Sequence, residues 1–205
     1  MVRRISLFFL AVLLDSNLVV AERDAMGADE YHPISRKGSN LTEAGGIGYT
    51  VVDSLDTMLI MGLDAEYQRA RSWVAEKMTF ERDANFNTFE VSVTVFFVLH
   101  TFSTHHAQTT IRMLGGLLSA HHLSGGDELY LARARDLADR MLPAFDTPSG
   151  LPLSMINLLK REGVPDKDNY GMVSTAEAAT IQLEFRYLAE LTDEDTYWKK
   201  VEQVS

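Results

Sequence analysis

The sequence has 205 residues and contains no cysteine. Disulfides, thiolate zinc sites and a cysteine nucleophile are therefore excluded together. Positive charge is also in short supply, since the formal net charge is -10. Such a chain has no general attraction for phosphate backbones, so we do not expect nucleic-acid binding. Hydrophobic content of 46% and charged content of 23% are ordinary for a soluble globular protein.

Several motifs that carry chemistry are also missing. The sequence has no His-Glu-x-x-His pattern, no calcium loop of spaced aspartates, no phosphate-binding loop and no serine nucleophile elbow. Histidine pairs occur at residues 105–106 and 121–122. Adjacent helical residues point about 100° apart, which favours surface or core histidines over a metal site. We therefore predict no metal ligand in this chain.

The N-terminus has the order of charge and hydrophobicity that is typical of a secretory signal peptide. Two arginines at positions 3 and 4 precede a mostly apolar run over residues 5–14, and two valines precede Ala21. The pattern predicts that residues 1–21 are a signal peptide cleaved after Ala21. An uncleaved anchor with membrane association is the alternative, although the apolar run is short for a bilayer. An unrelated apolar segment from a wrong gene start is the third interpretation.

A glycosylation signal supports entry to the secretory pathway. Asn40-Leu41-Thr42 matches the acceptor triplet for N-linked sugar, and such triplets also arise by chance. Together with the N-terminal pattern, it predicts a glycan on Asn40. We expect a location in the endoplasmic reticulum or Golgi, or secretion.

Helical periodicity dominates the rest of the chain, which predicts an all-α fold. The strongest β-like run is Val91–Phe97. Gly115-Gly116 costs helix propensity, roughly 1 kcal/mol per glycine, and predicts the close approach of another backbone. The predicted helices cover residues 64–78, the region around 111–118, residues 128–142, residues 175–191, and a segment after a capping box at Thr192 and Asp195.

Three groups of short motifs occur in one order along the chain. They are GGIGYTVVDSLDTM and IMGL (45–58, 60–63); FNTFE and TTIRMLGGLLSA (86–90, 109–120); and LPAF, TPSGLP, AE and QLEF (142–145, 147–152, 176–177, 182–185). Together they resemble the class I α-1,2-mannosidases, glycoside hydrolase family 47. The resemblance covers about residues 23–205 except one interruption.

The resemblance implies a fold and an activity. It implies that residues 22–205 are a partial mannosidase catalytic domain, forming part of an α/α barrel (toroid) of helical hairpins. It implies hydrolysis, with inversion, of terminal α-1,2-linked mannose from N-linked oligosaccharides, so high-mannose N-glycans of glycoproteins are the expected partners. It also implies a calcium ion whose threonine ligand lies beyond this chain, as do the other catalytic carboxylates.

Two alternatives to hydrolysis remain open. Because most catalytic carboxylates of the family are expected outside this sequence, the truncated chain is predicted to be inactive. The first alternative is a mannosidase-like protein that binds glycans in glycoprotein quality control. The second is a non-enzymatic helical scaffold.

The resemblance also assigns candidate site residues. Inverting hydrolysis needs one carboxylic acid that protonates the departing oxygen and one carboxylate that activates water. Glu90 matches the family's acid, although a solvated glutamate at a helix start is the alternative. Arg112 matches an arginine near the acid and the sugar. Glu177 matches a sugar-binding glutamate, with helix N-terminal charge as an equal alternative. For Asp53 and Asp56, structural hydrogen bonding is favoured over catalysis.

One segment departs from the family pattern. Residues 91–108 separate Glu90 from Thr109, whereas in the family the acid runs directly into the threonine. The segment contains no Asp, Glu, Lys or Arg. Valine codons begin with GT and a glutamine codon can end in AG, as intron borders do, and the segment keeps the reading frame. We therefore interpret 91–108 as an insertion from a retained short intron, with a genuine family-specific loop as the alternative.

Overall fold

The computed structural model describes residues 25–89, 109–167 and 170–203. This part of the chain is mostly helical, which confirms the main part of the all-α prediction. The predictions for residues 1–21 and for the β-like run 91–97 lie outside the described residues. The helices are α1 (Tyr49–Met61), α2 (Asp64–Glu76), a π-helix (Thr109–Gly115), α3 (Gly116–Leu123), α4 (Glu128–Met141), a 3-10 helix (Leu142–Phe145), α5 (Thr175–Thr180), α6 (Gln182–Thr192) and α7 (Asp195–Glu202).

The all-α prediction missed two small antiparallel sheets. In one, β1 (Glu30–His32) pairs with β2 (Lys37–Ser39). In the other, the order is β3 (Asn85–Asn87), β4 (Met155–Asn157) and β5 (Glu162–Val164). Each strand has three residues, which is too short for an alternating pattern to indicate it.

The helix predictions are confirmed, with two changes of detail. Tyr67, Ala70 and Val74 are buried on α2, as the spacing predicts. The segment predicted as one helix over 175–191 is two helices, α5 and α6, that break at Ile181. The region around 111–118 begins as a π-helix and continues as α3.

The predicted capping box before the last helix is wrong. Thr192 still belongs to α6, and its hydroxyl donates to the carbonyl of Leu188 at 2.8 Å. The N-cap of α7 is Glu194, whose side chain makes no capping hydrogen bond. Asp195 instead accepts from Lys199 one turn along α7. A threonine at a helix C-terminus satisfies its hydroxyl on the preceding turn, so it is not available to cap the next helix.

The core lies between helices that pack in sequence order. Helix α1 packs against both α2 and α3, α3 against α4, and α6 against α7. Gly116 is a point of close approach between α3 and α1, because a Cβ there would lie 3.0 Å from the Val52 carbonyl oxygen. The predicted close approach of a backbone is thus confirmed at Gly116. At Gly115 a Cβ would find its nearest neighbour, Glu184 Cγ, at 3.7 Å.

Helix α1 begins without a capping side chain of its own, because its N-cap is Gly48 in the left-handed conformation. The fully buried carboxylate of Asp29 takes that role from outside the helix. Its Oδ1 accepts from the amides of Ile47 at 2.8 Å and Gly48 at 3.0 Å, and its Oδ2 from the amide of Leu41 at 3.1 Å. A negative charge at a helix N-terminus is also favoured by the helix dipole.

The indole ring of Trp73 closes the same region. It lies against Gly27 and Gly48, which have φ angles of 86° and 87°. A Cβ on either glycine would overlap the ring. Glycine adopts this left-handed backbone conformation without steric cost. Because neither residue has a side chain, the Trp73 ring of α2 can lie close to the start of α1.

The Asp29 contacts predict a large effect of an isosteric substitution. We expect Asp29→Asn to lower the free energy of unfolding by about 1.5–3 kcal/mol, because buried amides would lose a charged acceptor. Urea denaturation followed by circular dichroism measures the change. The control is Asp195→Asn, whose exposed pair with Lys199 is worth about 0.3–0.5 kcal/mol. Equal effects of the two substitutions would contradict this role of Asp29.

The glycine pair gives a second prediction, in which neighbouring substitutions have opposite signs. Gly115→Ala should stabilise the protein by about 0.5–1 kcal/mol, because alanine is the better helix former and space is available. Gly116→Ala should destabilise it by about 1–3 kcal/mol, because the new methyl group would press on Val52 of α1. Thermal unfolding of the two variants measures both effects. The packing argument fails if Gly116→Ala is as stable as Gly115→Ala.

Candidate functional site

Glu90, the predicted general acid, lies outside the described residues. The structure does describe the segment that leads to it. Strand β3 ends at Asn87, and the Thr88 amide then donates to the carbonyl of Ser154 at 2.8 Å. Phe89 is buried in the core. The small sheet therefore fixes the chain as far as the residue before Glu90.

The next described segment begins at Thr109 and lies close to Thr88, near the end of the preceding described segment. The Thr110 hydroxyl donates to the Thr88 carbonyl at 2.5 Å. The Thr109 hydroxyl lies 2.9 Å from that of Tyr49, the first residue of α1. All four residues are buried. The two flanks of residues 90–108 thus meet through a direct hydrogen bond.

Arg112, the predicted sugar contact, is held on two sides by α1. Its Nε donates to Asp53 Oδ2 at 3.0 Å. Its guanidinium carbon lies 5.3 Å from the centre of the Tyr49 ring, which is a cation–π distance. Burial raises the pKa of the Tyr49 phenol well above its usual range, so the ring stays neutral beside the arginine. The orientation of Arg112 is therefore set by two residues of one helix.

The two aspartates of α1 make the structural hydrogen bonds that the sequence predicts. Asp53 holds Arg112, and Asp56 Oδ2 accepts from the Ser119 hydroxyl of α3 at 3.0 Å. Asp53 thus fixes the position of the Arg112 guanidinium, a candidate sugar contact. The sequence did not indicate that pair, because the two residues are 59 positions apart.

Glu177 makes a local structural contact. Its Oε2 accepts from the Ser174 amide at 2.9 Å, and the Ser174 hydroxyl accepts from the Glu177 amide at 3.2 Å. This is a complete capping box at the start of α5. These contacts support the interpretation of Glu177 as a helix N-terminal residue. Sugar binding by Glu177 stays a prediction.

Sequence reasoning missed Glu184, which has the most unusual acidic side chain of the described residues. Its Oε2 is buried and has no hydrogen-bond partner among them. Burial raises the pKa of the carboxyl above its usual value. The residue lies on α6, opposite Gly115 of the π-helix. Its motif, QLEF, belongs to the third group of the family resemblance, which is the signal that could have singled it out.

Both histidines of the pair at 121–122 lie within hydrogen-bond distance of other residues of the fold. The Nδ1 atom of His121 lies 3.0 Å from the Asp127 carbonyl, and that of His122 lies 3.1 Å from the Tyr187 hydroxyl. The pair at 105–106 lies outside the described residues. Within residues 25–89, 109–167 and 170–203, no three His, Asp or Glu side chains come together as a metal site.

Two further observations concern the predicted cellular location. Asn40 is exposed directly after β2, so its position is open to solvent, and the glycan on it stays a prediction. None of the helices in the described part of the chain has the length and apolar character needed to span a membrane.

Comparison with known proteins gives one consistent match. The model of glycosyl hydrolase family 47 matches residues 22–205. The mannosyl-oligosaccharide 1,2-alpha-mannosidase of Candida albicans is 43% identical over 183 residues, which are 89% of this chain and 29% of that protein. The endoplasmic reticulum mannosyl-oligosaccharide 1,2-alpha-mannosidase of Schizosaccharomyces pombe is 47% identical over 84% of this chain and 29% of its own length.

A solved structure shows the same fold. The alpha-1,2-mannosidase from Trichoderma reesei superimposes with a TM-score of 0.73 at 24% identity, over 94% of this chain and 39% of that chain. At that identity the likeness concerns the fold alone. The chain thus spans less than a third of the two curated relatives and about two fifths of the solved structure.

The raised pKa of Glu184 predicts a pH dependence. Because burial raises this pKa in the folded protein, the stability contribution of Glu184 is fully present below the ordinary glutamate pKa of 4.5 and is lost as pH rises through the folded pKa. Glu184→Gln should therefore raise the free energy of unfolding at pH 7 and change it little below pH 4.5. Urea denaturation across pH measures the difference. Glu190→Gln, an exposed site on the same helix, is the control, and an equal gain there would contradict the burial argument.

Proposed function

Because the chain belongs to glycosyl hydrolase family 47, we propose that it is the part of an inverting α-1,2-mannosidase that supplies the general acid. The reaction is hydrolysis of terminal α-1,2-linked mannose from N-linked oligosaccharides. The observation that carries the proposal is the placement of Arg112 beside the chain that enters and leaves the Glu90 segment. The names of the Candida and Schizosaccharomyces proteins support this substrate, and the Schizosaccharomyces name supports a site of action in the endoplasmic reticulum.

In this proposal Glu90 protonates the oxygen of the departing sugar. A second carboxylate, from the part of the domain that this chain does not span, activates water on the opposite face. Arg112 orients the sugar. Because Asp53 accepts from Nε, the terminal nitrogens of the guanidinium are the ones that point to a sugar hydroxyl in this role. The activity is therefore a property of the complete domain.

The family's calcium ion does not fit the described residues of this chain. They bring no three candidate ligands together, and the proposal assigns them no step that runs through a metal. Calcium remains an expectation for the complete domain.

The described flanks support the interpretation of 91–108 as an insertion into a helix. The Asn87 side chain accepts from the Phe89 amide at 2.7 Å, which is the contact of an N-cap with the second helical residue. Without the insertion, Thr110 would follow Thr88 by four positions. The bond from the Thr110 hydroxyl to the Thr88 carbonyl would then be the usual contact of a helical threonine with the preceding turn.

Such a helix would bring the two candidate residues together. With Asn87 as the N-cap, Glu90 would be the third helical residue. Arg112 would follow Glu90 by four positions, and residues at that spacing are neighbours on one helix face. The insertion thus separates, in sequence, an acid and an arginine that the family pattern places on adjacent turns.

Activity tests this proposal through a chimera. The uncovered part of the Candida albicans relative is joined to this chain, either intact or lacking 91–108, and release of mannose from a high-mannose oligosaccharide is measured. The 205-residue chain alone should show no measurable turnover. The chimera without the insertion should release mannose, and Glu90→Gln should lower its kcat by about 10²–10⁴-fold.

Three outcomes decide between the candidate functions. Robust turnover by the 205-residue chain alone would show that it needs no further carboxylate. Full activity of the Glu90→Gln chimera would remove Glu90 as the acid. If the chimera without 91–108 binds the glycan but releases no mannose, the glycan-binding alternative is favoured.

Deletion of residues 91–108 should also stabilise the 205-residue chain. Rejoining the helix adds local hydrogen bonds, so we expect a rise in Tm of about 2–4 °C, equivalent to roughly 1 kcal/mol, and a higher soluble yield. The gain is limited, because the cost of closing a loop grows slowly with its length. Thermal unfolding and expression of both chains measure these effects.

A composition control separates two causes. In this control, 91–108 is replaced by a Gly/Ser segment of equal length. If it matches the deletion in yield only, the β-branched and aromatic composition of the segment causes aggregation. If the deletion lowers both Tm and yield, and transcripts always retain the segment, the intron explanation is wrong.

A further inference from the structure

Tyr49 contacts two parts of the candidate site through opposite ends of one side chain. Its hydroxyl lies 2.9 Å from that of Thr109, and the guanidinium carbon of Arg112 lies 5.3 Å from its ring centre. Thr109 and Arg112 are the first and fourth residues of the π-helix. One side chain of α1 therefore holds both the start of this helix and the candidate sugar contact on it.

Tyr49 is itself a rigid support. It is the first residue of α1, and its side chain is fully buried. Burial raises the pKa of the phenol well above its usual range, so the hydroxyl keeps its proton and can donate as well as accept a hydrogen bond. A tyrosine side chain has only two torsion angles, so its ring and its hydroxyl move together. A shift in one of its two contacts would therefore displace the other.

We propose that Tyr49 is a positioning residue for mannoside hydrolysis: its hydroxyl fixes the helical turn that begins at Thr109, and its ring fixes the Arg112 guanidinium. The proposal rests on the proposed function. In the family pattern Thr109 directly follows the acid, so the hydroxyl contact acts on the residue next to Glu90. The ring contact acts on the sugar through Arg112. The hydroxyl should therefore affect mainly kcat, and the ring should affect KM.

A matched tyrosine separates positioning from a purely structural role. Tyr197 on α7 is also buried, and its hydroxyl donates to Asp139 Oδ1 of α4 at 2.7 Å. Loss of this hydroxyl removes a hydrogen bond of the same kind, between two helices that hold neither Arg112 nor Thr109. Tyr197→Phe is therefore the control for Tyr49→Phe.

The kinetic test uses the chimera without 91–108. Tyr49→Phe keeps the ring, so kcat should fall about 10-fold while KM changes less than about two-fold. Thr109→Val removes the same hydrogen bond, and the two substitutions together should cost no more than either alone. Tyr49→Leu also removes the ring and should raise KM about 3- to 30-fold, the range of a cation–π contact. Tyr197→Phe should lower Tm as Tyr49→Phe does, yet leave kcat and KM unchanged.

Amide hydrogen exchange of the 205-residue chain supplies a measurement that needs no substrate. Tyr49→Phe should speed exchange over residues 109–115, and Tyr197→Phe should not. Unchanged exchange there, or a lower Tm with unchanged kcat, would overturn the positioning role of the hydroxyl, even if Tyr49→Leu does not fold. An unchanged KM in Tyr49→Leu would overturn the role of the ring. Faster exchange over 109–115, combined with a parent chimera that releases no mannose, supports Tyr49 as the support of this turn and contradicts only the proposed function.

Discussion

The buried carboxylate of Asp29 is the contact on which the candidate site depends. It holds the amides at the start of α1, which has no capping side chain of its own. Tyr49, the first residue of that helix, contacts Thr109 through its hydroxyl and Arg112 through its ring. Asp53, one turn further along, binds the Arg112 guanidinium. The contacts of Arg112 with Asp53 and Tyr49 therefore both come from a helix whose start is held by one acidic side chain.

The site is also held by the small sheet of β3 and β4, independently of α1. Strands β3 and β4 pair and carry the chain to Thr88, whose carbonyl receives the Thr110 hydroxyl. The site is thus assembled where a helix and a small sheet bring together three distant parts of the sequence. A change in either support would alter the position of Arg112 relative to Phe89, the last described residue before Glu90. In the proposed function Arg112 orients the sugar that Glu90 protonates, and that proton transfer needs hydrogen-bond contact between the acid and the sugar oxygen.

Periodicity predicted the helices well because their buried residues repeat at helical spacing, as Tyr67, Ala70 and Val74 do. It could not predict the three-residue strands, because they are too short to show an alternating pattern, and β3 also pairs with β4 from a distant part of the sequence. The capping prediction at Thr192 failed for a similar reason, since only the structure shows that the hydroxyl is already bound to the preceding turn. Glu184 was missed because a glutamate on an amphipathic helix gives no sign of its burial. Arg112 was found through the family motif, while its partner Asp53 needed the structure.

The two tryptophans of the chain lie in different environments. Trp73 packs against Gly27 and Gly48 near the Asp29 cap, and Trp198 lies on α7, with the guanidinium of Arg186 from α6 at 4.6 Å from its ring centre. Intrinsic fluorescence therefore contains one emitter for each region. With Trp198→Phe the tryptophan emission reports only on the Asp29 cap, and with Trp73→Phe it reports only on the helix pair α6 and α7. This pair of single-tryptophan chains gives an optical readout of which region opens first during unfolding.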